Sequence, residues 1–418
     1  MDSRVIEEIF RHEGGRVLAT LIRLLGDFDL AEEARQEAFA TAIEQWPATG
    51  IPENARAWLV HVGRNKGIDH IRRQALLREK VAGLASEGEE PSHGGADDPA
   101  EADGAAFADD RLRLIFTCCH PALSLEAQVA LTLHTVCDLE SEEVARAFLV
   151  SQETMWQRLG RAKRKIREAN IPYETPPPAL LNERVDGVLA VIYLVFSEGY
   201  AVTSGAALVR EDLCREAIRL GRLLDALLPG RADVRGLLAL MLLHDARRKA
   251  RVSATGDIVL LEEQDRSLWD RAQIAEGLAL VDQSLRTVER ISAYAVQAAI
   301  VALHATAERP EATDWRQIVG LYEVLLRIQP TPVIELNHTV AVSMVDGPAR
   351  ALDLIDSLAA RSEISGYHLL RAVRARLLQQ LGKTGEARAA YQAARGAVAP
   401  EPERRLLERR LRELPPDD

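Results

Sequence analysis

ESEEVARAFLVSQETMWQRLGRAKRKIR, residues 140–167, decides how this chain is read. Leu139, Val144, Ala145 and Phe148 fall at helical spacing and predict a first short helix. Leu149 and Val150 break that pattern as a turn. Ser151 stands where an N-cap belongs, because its side chain can accept from an otherwise unpaired amide at the start of a helix. Two short helices around a tight turn form a helix-turn-helix, and the second helix of that motif fits a DNA major groove. Between 151 and 169 six cations (Arg158, Arg161, Lys163, Arg164, Lys165, Arg167) face two acids, Glu153 and Glu168, in a chain of net charge −11. A basic island in an acidic protein points to phosphate, although a solvated helix flank has the same composition.

Charge divides the first 180 residues into blocks. Residues 56–80 carry seven cations against Asp69 and Glu79. Residues 81–110 carry nine acids and no Lys or Arg, among Gly, Ala, Ser and Pro. Such a composition cannot bury a core, so 81–109 reads as a flexible acidic linker. Pro172 and Pro176–Pro178 close the block as a stiff connector over 173–179.

The whole chain, at 418 residues, 47% hydrophobic and only 5% aromatic, favours helix throughout and several domains. Ile258–Leu261 is the best strand candidate and is short. No apolar run approaches the ~20 residues of a membrane span, and MDSRVIEEIF lacks the pattern of a signal peptide, so a cytoplasmic location is expected. Cys118, Cys119, Cys137 and Cys214 are too few for a disulfide scaffold. With His120 and His134 they invite zinc, but adjacent cysteines do not follow the usual ligand spacing, so buried thiols and no metal are expected. No H-E-x-x-H, G-x-S-x-G or G-x-G-x-x-G occurs, and neither an enzyme nor a cofactor is expected. The segment HDARRKAR (244–251) reads as a solvated helix end, with contact to a partner as the alternative. Near the end, Gly382, Ala387, Tyr391 and Ala394 fall at the spacing of a tetratricopeptide repeat, with 315–329, 333–345 and 350–360 as degenerate relatives.

The N-terminal block begins with an amphipathic helix over about Arg4–Leu25. In DLAEEARQEAFATAIEQW the acids Asp29, Glu32, Glu33 and Glu37 share one face with Gln36, opposite Ala34, Ala38, Phe39 and Ile43. That acidic face is either an ordinary solvated surface or a dock for a basic partner. In AWLVHVGRNKGIDHIRRQ, Trp58, Leu59 and Val62 face inward and Arg64, Asn65, Lys66, Asp69, His70, Arg72 and Arg73 face out.

Two of these patterns carry a resemblance. A-E-E-x-x-Q-E-x-F (31–39) and W-L-x-x-x-x-R-N-x-x-I-D-x-x-R-R (58–73) resemble region 2 of bacterial sigma factors, and 140–167 resembles region 4. Order, spacing and acidic linker resemble the extracytoplasmic-function group (group IV). LIFTCCHPALS (114–124) and LNERVDGVLAVIYLVFSEGY (181–200) resemble its subfamily with a C-terminal tetratricopeptide-like extension. The resemblance implies an all-α protein: region 2 over 1–80, linker 81–109, region 4 over 110–172, connector 173–179, and a helical-repeat tail over 180–418.

It also implies a role: a dissociable subunit that binds core RNA polymerase, at its clamp and flap regions, and selects promoter DNA. Glu32, Glu33, Gln36 and Glu37 would dock on a basic coiled coil of the clamp. The loop 49–57 and the helix from Trp58 would open the −10 element, with Arg64, Asn65, Lys66, Arg72 and Arg73 holding the melted strand. Asp69 is expected as an ion-pair or cap partner, and Trp58 as core. Gln152, Thr154, Gln157 and Arg158 would read −35 base edges, while Arg161, Lys163, Arg164 and Lys165 would position phosphates. The linker is a solvated tether or threads a basic polymerase channel. The tail is expected to regulate through a protein or signal partner. The competing reading is a DNA-binding regulator with a repeat-type sensor domain, independent of polymerase.

Overall fold

The computed structural model describes residues 3–82, 104–148, 150–200, 207–253, 255–286, 291–361, 367–396 and 401–415. All regular structure among them is helical, and the best strand candidate contributes only an isolated antiparallel bridge, Val252 to Ile258. Most of the acidic linker, 83–103, lies outside the described residues, as does Leu149 of the expected turn. The chain divides into two compact units, 1–194 and 195–418.

In the first unit α1 (Ser3–Leu25), α2 (Phe28–Thr49) and α3 (Ala55–Ala82) form a bundle. Asp27 caps α2 by accepting from the Leu30 amide, and Gly50, at φ +84°, ends it. Val17, Leu18, Leu21 and Ile22 of α1 meet Ala31, Ala34, Ala38, Phe39 and Trp46 of α2 and Leu59 and Val60 of α3 in the buried core. Ile43, expected on that inner face, is 59% exposed. Gly63 and Gly67 let α3 cross α1 closely, since a Cβ on either would lie under 3 Å from the methyls of Leu21 or Leu25.

The second half of this unit holds α4 (Gly104–Cys118), α5 (Leu125–Leu131), a π-turn over Thr132–Val136, α6 (Ser141–Ala147) and α7 (Gln152–Glu168). Asp110 of α4, 1% exposed, accepts from Thr20 of α1 at 3.0 Å and pairs with Arg23 at 2.8 Å and Arg113 at 2.9 Å. Tyr173 places its hydroxyl 2.8 Å from the Ala19 carbonyl and 3.0 Å from that of Asp110. The start of the proline-rich connector is thereby packed into this unit. α8 (Pro178–Tyr200) follows and contains the boundary between the units.

The second unit continues through α9 (Ala207–Leu227), α10 (Ala232–Asp245), α11 (Arg271–Leu285), α12 (Ala293–Thr306), α13 (Trp315–Ile328), α14 (Pro332–Asp346), α15 (Pro348–Ala359), α16 (His368–Gln380), α17 (Thr384–Gly396) and α18 (Glu401–Glu413). α10 is apolar on nearly every side and packs against α9, α11 and α12. From α13 onward successive helices pack as neighbours. Ala387, Tyr391 and Ala394 are buried with Ala375, Leu378 and Leu407, so the small residues read from the sequence do admit a close α16–α17 pair. Asp314 and Thr331 cap α13 and α14, and Pro332 and Pro348 start α14 and α15, where a missing amide costs nothing.

Candidate polymerase and nucleic-acid interface

The recognition helix α7 forms because Ser151 caps it, accepting from the Thr154 amide at 3.2 Å, and because Met155, Leu159, Ala162 and Ile166 supply one buried stripe. The opposite side exposes Gln152, Thr154, Gln157, Arg161, Arg164 and Lys165. A capped helix with amides and hydroxyls near its start and cations further along has the layout for base edges first and phosphates beyond. Trp156 is 57% exposed, and its indole donates to Ser141 at 2.5 Å, tying α7 to α6.

Two expected DNA contacts are engaged within the protein. Arg158 is half-buried, pairs with Glu126 at 3.1 Å and lies 5.2 Å from the Phe148 ring. Lys163 is turned inward, its side chain only 8% exposed, and meets Asp29 at 3.0 Å and Glu32 at 2.8 Å. The physical reason is position: Lys163 follows Ala162 on the buried flank of α7, and a lysine held in that flank needs carboxylates to remain charged.

Glu32, expected on the docking face, is therefore also turned inward. Burial works against its charge, but His134 and Lys163 outweigh that and hold the carboxyl down at about 2. The His134 ring donates through Nδ1 to the Leu139 carbonyl at 2.8 Å and places Nε2 3.5 Å from Glu32. Arg167 extends the contact to Asp27 at 2.7 Å. Arg35, 8% exposed, binds Asp138, whose backbone sits at φ +61°. A Cβ on Gly14 would lie 2.8 Å from an Asp138 oxygen, so the glycine makes room for that carboxylate. Sequence reasoning missed Arg35, Asp110, His134 and Asp138 as organising residues. Their partners stand far away in sequence, and no local period marks them.

Glu33, Gln36 and Glu37 remain exposed on α2. Glu37 stands 3.6 Å from Lys66 and Glu33 3.7 Å from His70, so the acids of α2 line up beside the cations of α3. Asn65, Lys66, Arg72 and Arg73 are exposed, Arg64 is half-buried, and Asn65 bonds His61 at 3.1 Å. Asp69, expected as an ion-pair or cap partner, is exposed and makes no ion pair among the described residues. Trp58 is half-buried with its ring 5.3 Å from that of Trp46, the arrangement of a core-edge residue.

Cys118, Cys119 and Cys137 are buried, and burial pushes the Cys119 thiol up to about 11. Such thiols are poor nucleophiles and poor ligands at neutral pH. Among the described residues no three His, Cys, Asp or Glu side chains are grouped to hold a metal, and no helix is long and apolar enough to cross a membrane.

A bundle with an acidic and a basic helix side by side, joined to a capped helix-turn-helix, defines a class of transcription factor. Residues 9–76 match Sigma-70 region 2 and residues 113–166 match Sigma-70, region 4. Residues 184–285 match a family of unknown function (DUF6596). The chain is 47% identical over 383 residues to an uncharacterized protein of Rhizobium meliloti (strain 1021), covering 91% of this chain and 88% of that one. It belongs to the family of that protein, and its own two matched regions are of sigma-70 type, like the extracytoplasmic-function group. It is accordingly a sigma factor for promoter-specific transcription, acting with core RNA polymerase and promoter DNA.

Proposed function

We propose that the parts of this sigma factor divide as follows. Glu33, Gln36 and Glu37 dock on a basic surface of the polymerase clamp, with Glu32 joining them when Lys163 lets go. Arg64, Asn65, Lys66, Arg72 and Arg73 hold the melted −10 strand. Gln152, Thr154 and Gln157 read −35 base edges, and Arg161, Arg164 and Lys165 hold phosphates, with region 4 lying against the flap. The single observation that carries this reading is α7: a capped helix whose exposed side holds amides at its start and cations beyond.

Arg158 and Lys163 join the DNA-facing set only after their internal partners release them. The pairing of Lys163 with Asp29 and Glu32 then makes polymerase docking compete with the contact between the two regions. The tail regulates by favouring one arrangement over the other, and its paired helices from α13 onward offer tetratricopeptide-like surfaces to a partner.

In vitro transcription with core enzyme tests the reading. Promoter opening that depends on core enzyme supports it. Tight, sequence-specific duplex binding with no polymerase dependence would instead establish a conventional DNA-binding regulator. A chain ending at Leu194, the limit of the first compact unit, reads the tail: gained promoter activity means inhibition and lost activity means a positive role.

A further inference from the structure

HDARRKAR (244–251) is not the solvated helix end that its composition suggests. It closes α10 and turns inward, with Asp245 and Arg247 each 8% exposed and Arg251 lying 3.4 Å from the centroid of the Tyr200 ring. From this anchor the chain folds back as a narrow loop. The Val259 amide donates to the Arg251 carbonyl at 2.9 Å, and the Ser253 amide to that of Asp257 at 2.9 Å, beside the Val252–Ile258 bridge. Residues 256–263 of the loop meet helices more than a hundred positions later in the sequence. Arg405 of α18 donates to the Gly256 carbonyl at 2.8 Å and stands 2.7 Å from Asp257 Oδ1. Arg376 of α16 meets both oxygens of Glu262, at 2.9 and 2.8 Å. Arg409 and Arg410 take one oxygen each of Glu263, both at 3.1 Å. Arg410 also pairs with Glu413 at 2.9 Å.

The helices on the far side of this contact are a second basic island. Residues 368–413 hold eleven cations, ten of them Arg, against five acids, in a chain of net charge −11. Beneath that surface Ala375, Leu378, Tyr391, Leu407 and Leu414 pack into one apolar cluster, to which the loop contributes no residue. Charge, rather than a share of that core, holds the loop in place. Every carboxylate and guanidinium in the contact keeps part of its surface in solvent. Pairs of that kind are worth little singly and are screened by salt. Such a contact lets go without unfolding the helices under it.

The loop also shows what this face accepts. Arg405 takes a backbone carbonyl together with a carboxylate, and Arg376 takes a carboxylate with both its oxygens. A main-chain carbonyl beside spaced carboxylates is the chemistry of an acidic peptide, and clusters of arginine are a recurrent way to read one. Duplex DNA offers no such carbonyl, and Glu408 and Glu413 interrupt the cations of α18 where a continuous phosphate backbone would run.

We propose that the face of α16 and α18 built from Arg376, Arg405, Arg409 and Arg410 is a docking surface for an acidic segment of a partner protein, and that Asp257, Glu262 and Glu263 occupy it as an internal stand-in until the partner displaces them. The loop lies within the stretch that matches the family of unknown function, and α16 and α18 lie beyond it, so displacement would uncouple the two parts of the tail. This deepens the reading of the tail as a surface for a protein partner and rests on it.

The test is fluorescence anisotropy of a labelled peptide copying residues 255–265, titrated with the full chain at low salt. The parent should bind it weakly, because the tethered loop competes at an effective concentration on the order of millimolar. The combined variant Asp257→Asn, Glu262→Gln, Glu263→Gln should bind it at least about tenfold more tightly. Adding Arg376→Gln or Arg410→Gln to that variant should weaken binding about threefold each, while adding Arg316→Gln, at an exposed position on α13, should change nothing. Glu262→Gln alone should show part of the gain and serves where the combined variant does not fold. Equal binding by the parent and the neutralised chains overturns the proposal, as does a gain that survives both arginine substitutions. Duplex DNA bound by the neutralised chain as tightly as the peptide also overturns it, since the face would then take any polyanion. The peptide titrations contain neither promoter nor polymerase, so their failure leaves the transcription test of the tail standing.

Discussion

Lys163 Nζ lies 2.8 Å from Glu32 Oε2, across 131 residues of chain. One partner belongs to the region 4 match and the other to the region 2 match. Each carries a charge that its own helix cannot satisfy. Asp29, Asp27, Arg167 and His134 extend this pair into a network, and Arg35 with Asp138 closes it at the other end. The two regions are therefore held together by ion pairs that exclude water to different degrees, from the inward Lys163 to the half-exposed Arg167.

Lys163→Met removes the inner cation and leaves Glu32 with His134 alone. The expected loss is about 2 kcal/mol, low for a buried pair because Asp29 is largely solvated. Differential scanning calorimetry should show the transition of the first unit moving down. An unchanged transition would mean that the contact between the regions is not formed in solution.

Acid should act on the same contact. The Glu32 carboxyl sits at about 2 in the folded chain against an ordinary 4.5, so its contribution is complete above pH 4.5 and is lost as pH falls through about 2. Asp27 is lowered too: burial opposes its charge, and the Leu30 amide and Arg167 outweigh it. Thermal unfolding followed down this window should show a flatter acid limb for Glu32→Gln than for the parent. Identical slopes would place Glu32 in solvent.

Gly14→Ala offers a test whose sign is informative. Inside a helix, alanine normally gains about 1 kcal/mol over glycine. Here the new Cβ would meet an Asp138 oxygen at 2.8 Å, and Arg35 holds that carboxylate in place. A net destabilisation of about 1–2 kcal/mol is expected by calorimetry. Stabilisation would show that Asp138 does not sit over α1.

The helices, their caps and most inward faces are legible locally because period and capping are local properties. Ser151 caps α7 where the sequence places an N-cap, and Met155, Leu159 and Ile166 recur at helical spacing along its buried stripe. The inward turns of Lys163, Glu32 and Arg247 are not legible, because a charged residue on a helix flank reads as solvated unless its distant partner is known. The same holds for HDARRKAR, whose composition gives no sign that Tyr200 and Trp269 wait to stack on it. Ile43 fails in the opposite sense: its period places it on the inner face of α2, yet no neighbouring helix covers it closely, and it stays 59% exposed.

Salt dependence separates the roles of the α7 side chains. Gln157, exposed near the start of the helix, should lose about 1–3 kcal/mol of discrimination at one −35 base pair when changed to Ala, with little change in salt dependence. Arg164→Ala should weaken all sequences alike and reduce the slope of log K against log salt by about 0.9, one phosphate contact. Lys163→Ala discriminates further. In the free protein it should leave the slope unchanged, since Asp29 and Glu32 already hold the ammonium. With core polymerase, release of Glu32 to the clamp frees Lys163 for phosphate, so the same substitution should then reduce the slope by about 0.9. A slope unaffected in both settings would leave Lys163 a structural cation only, and one reduced in both would mean that the contact with region 2 never competes with DNA.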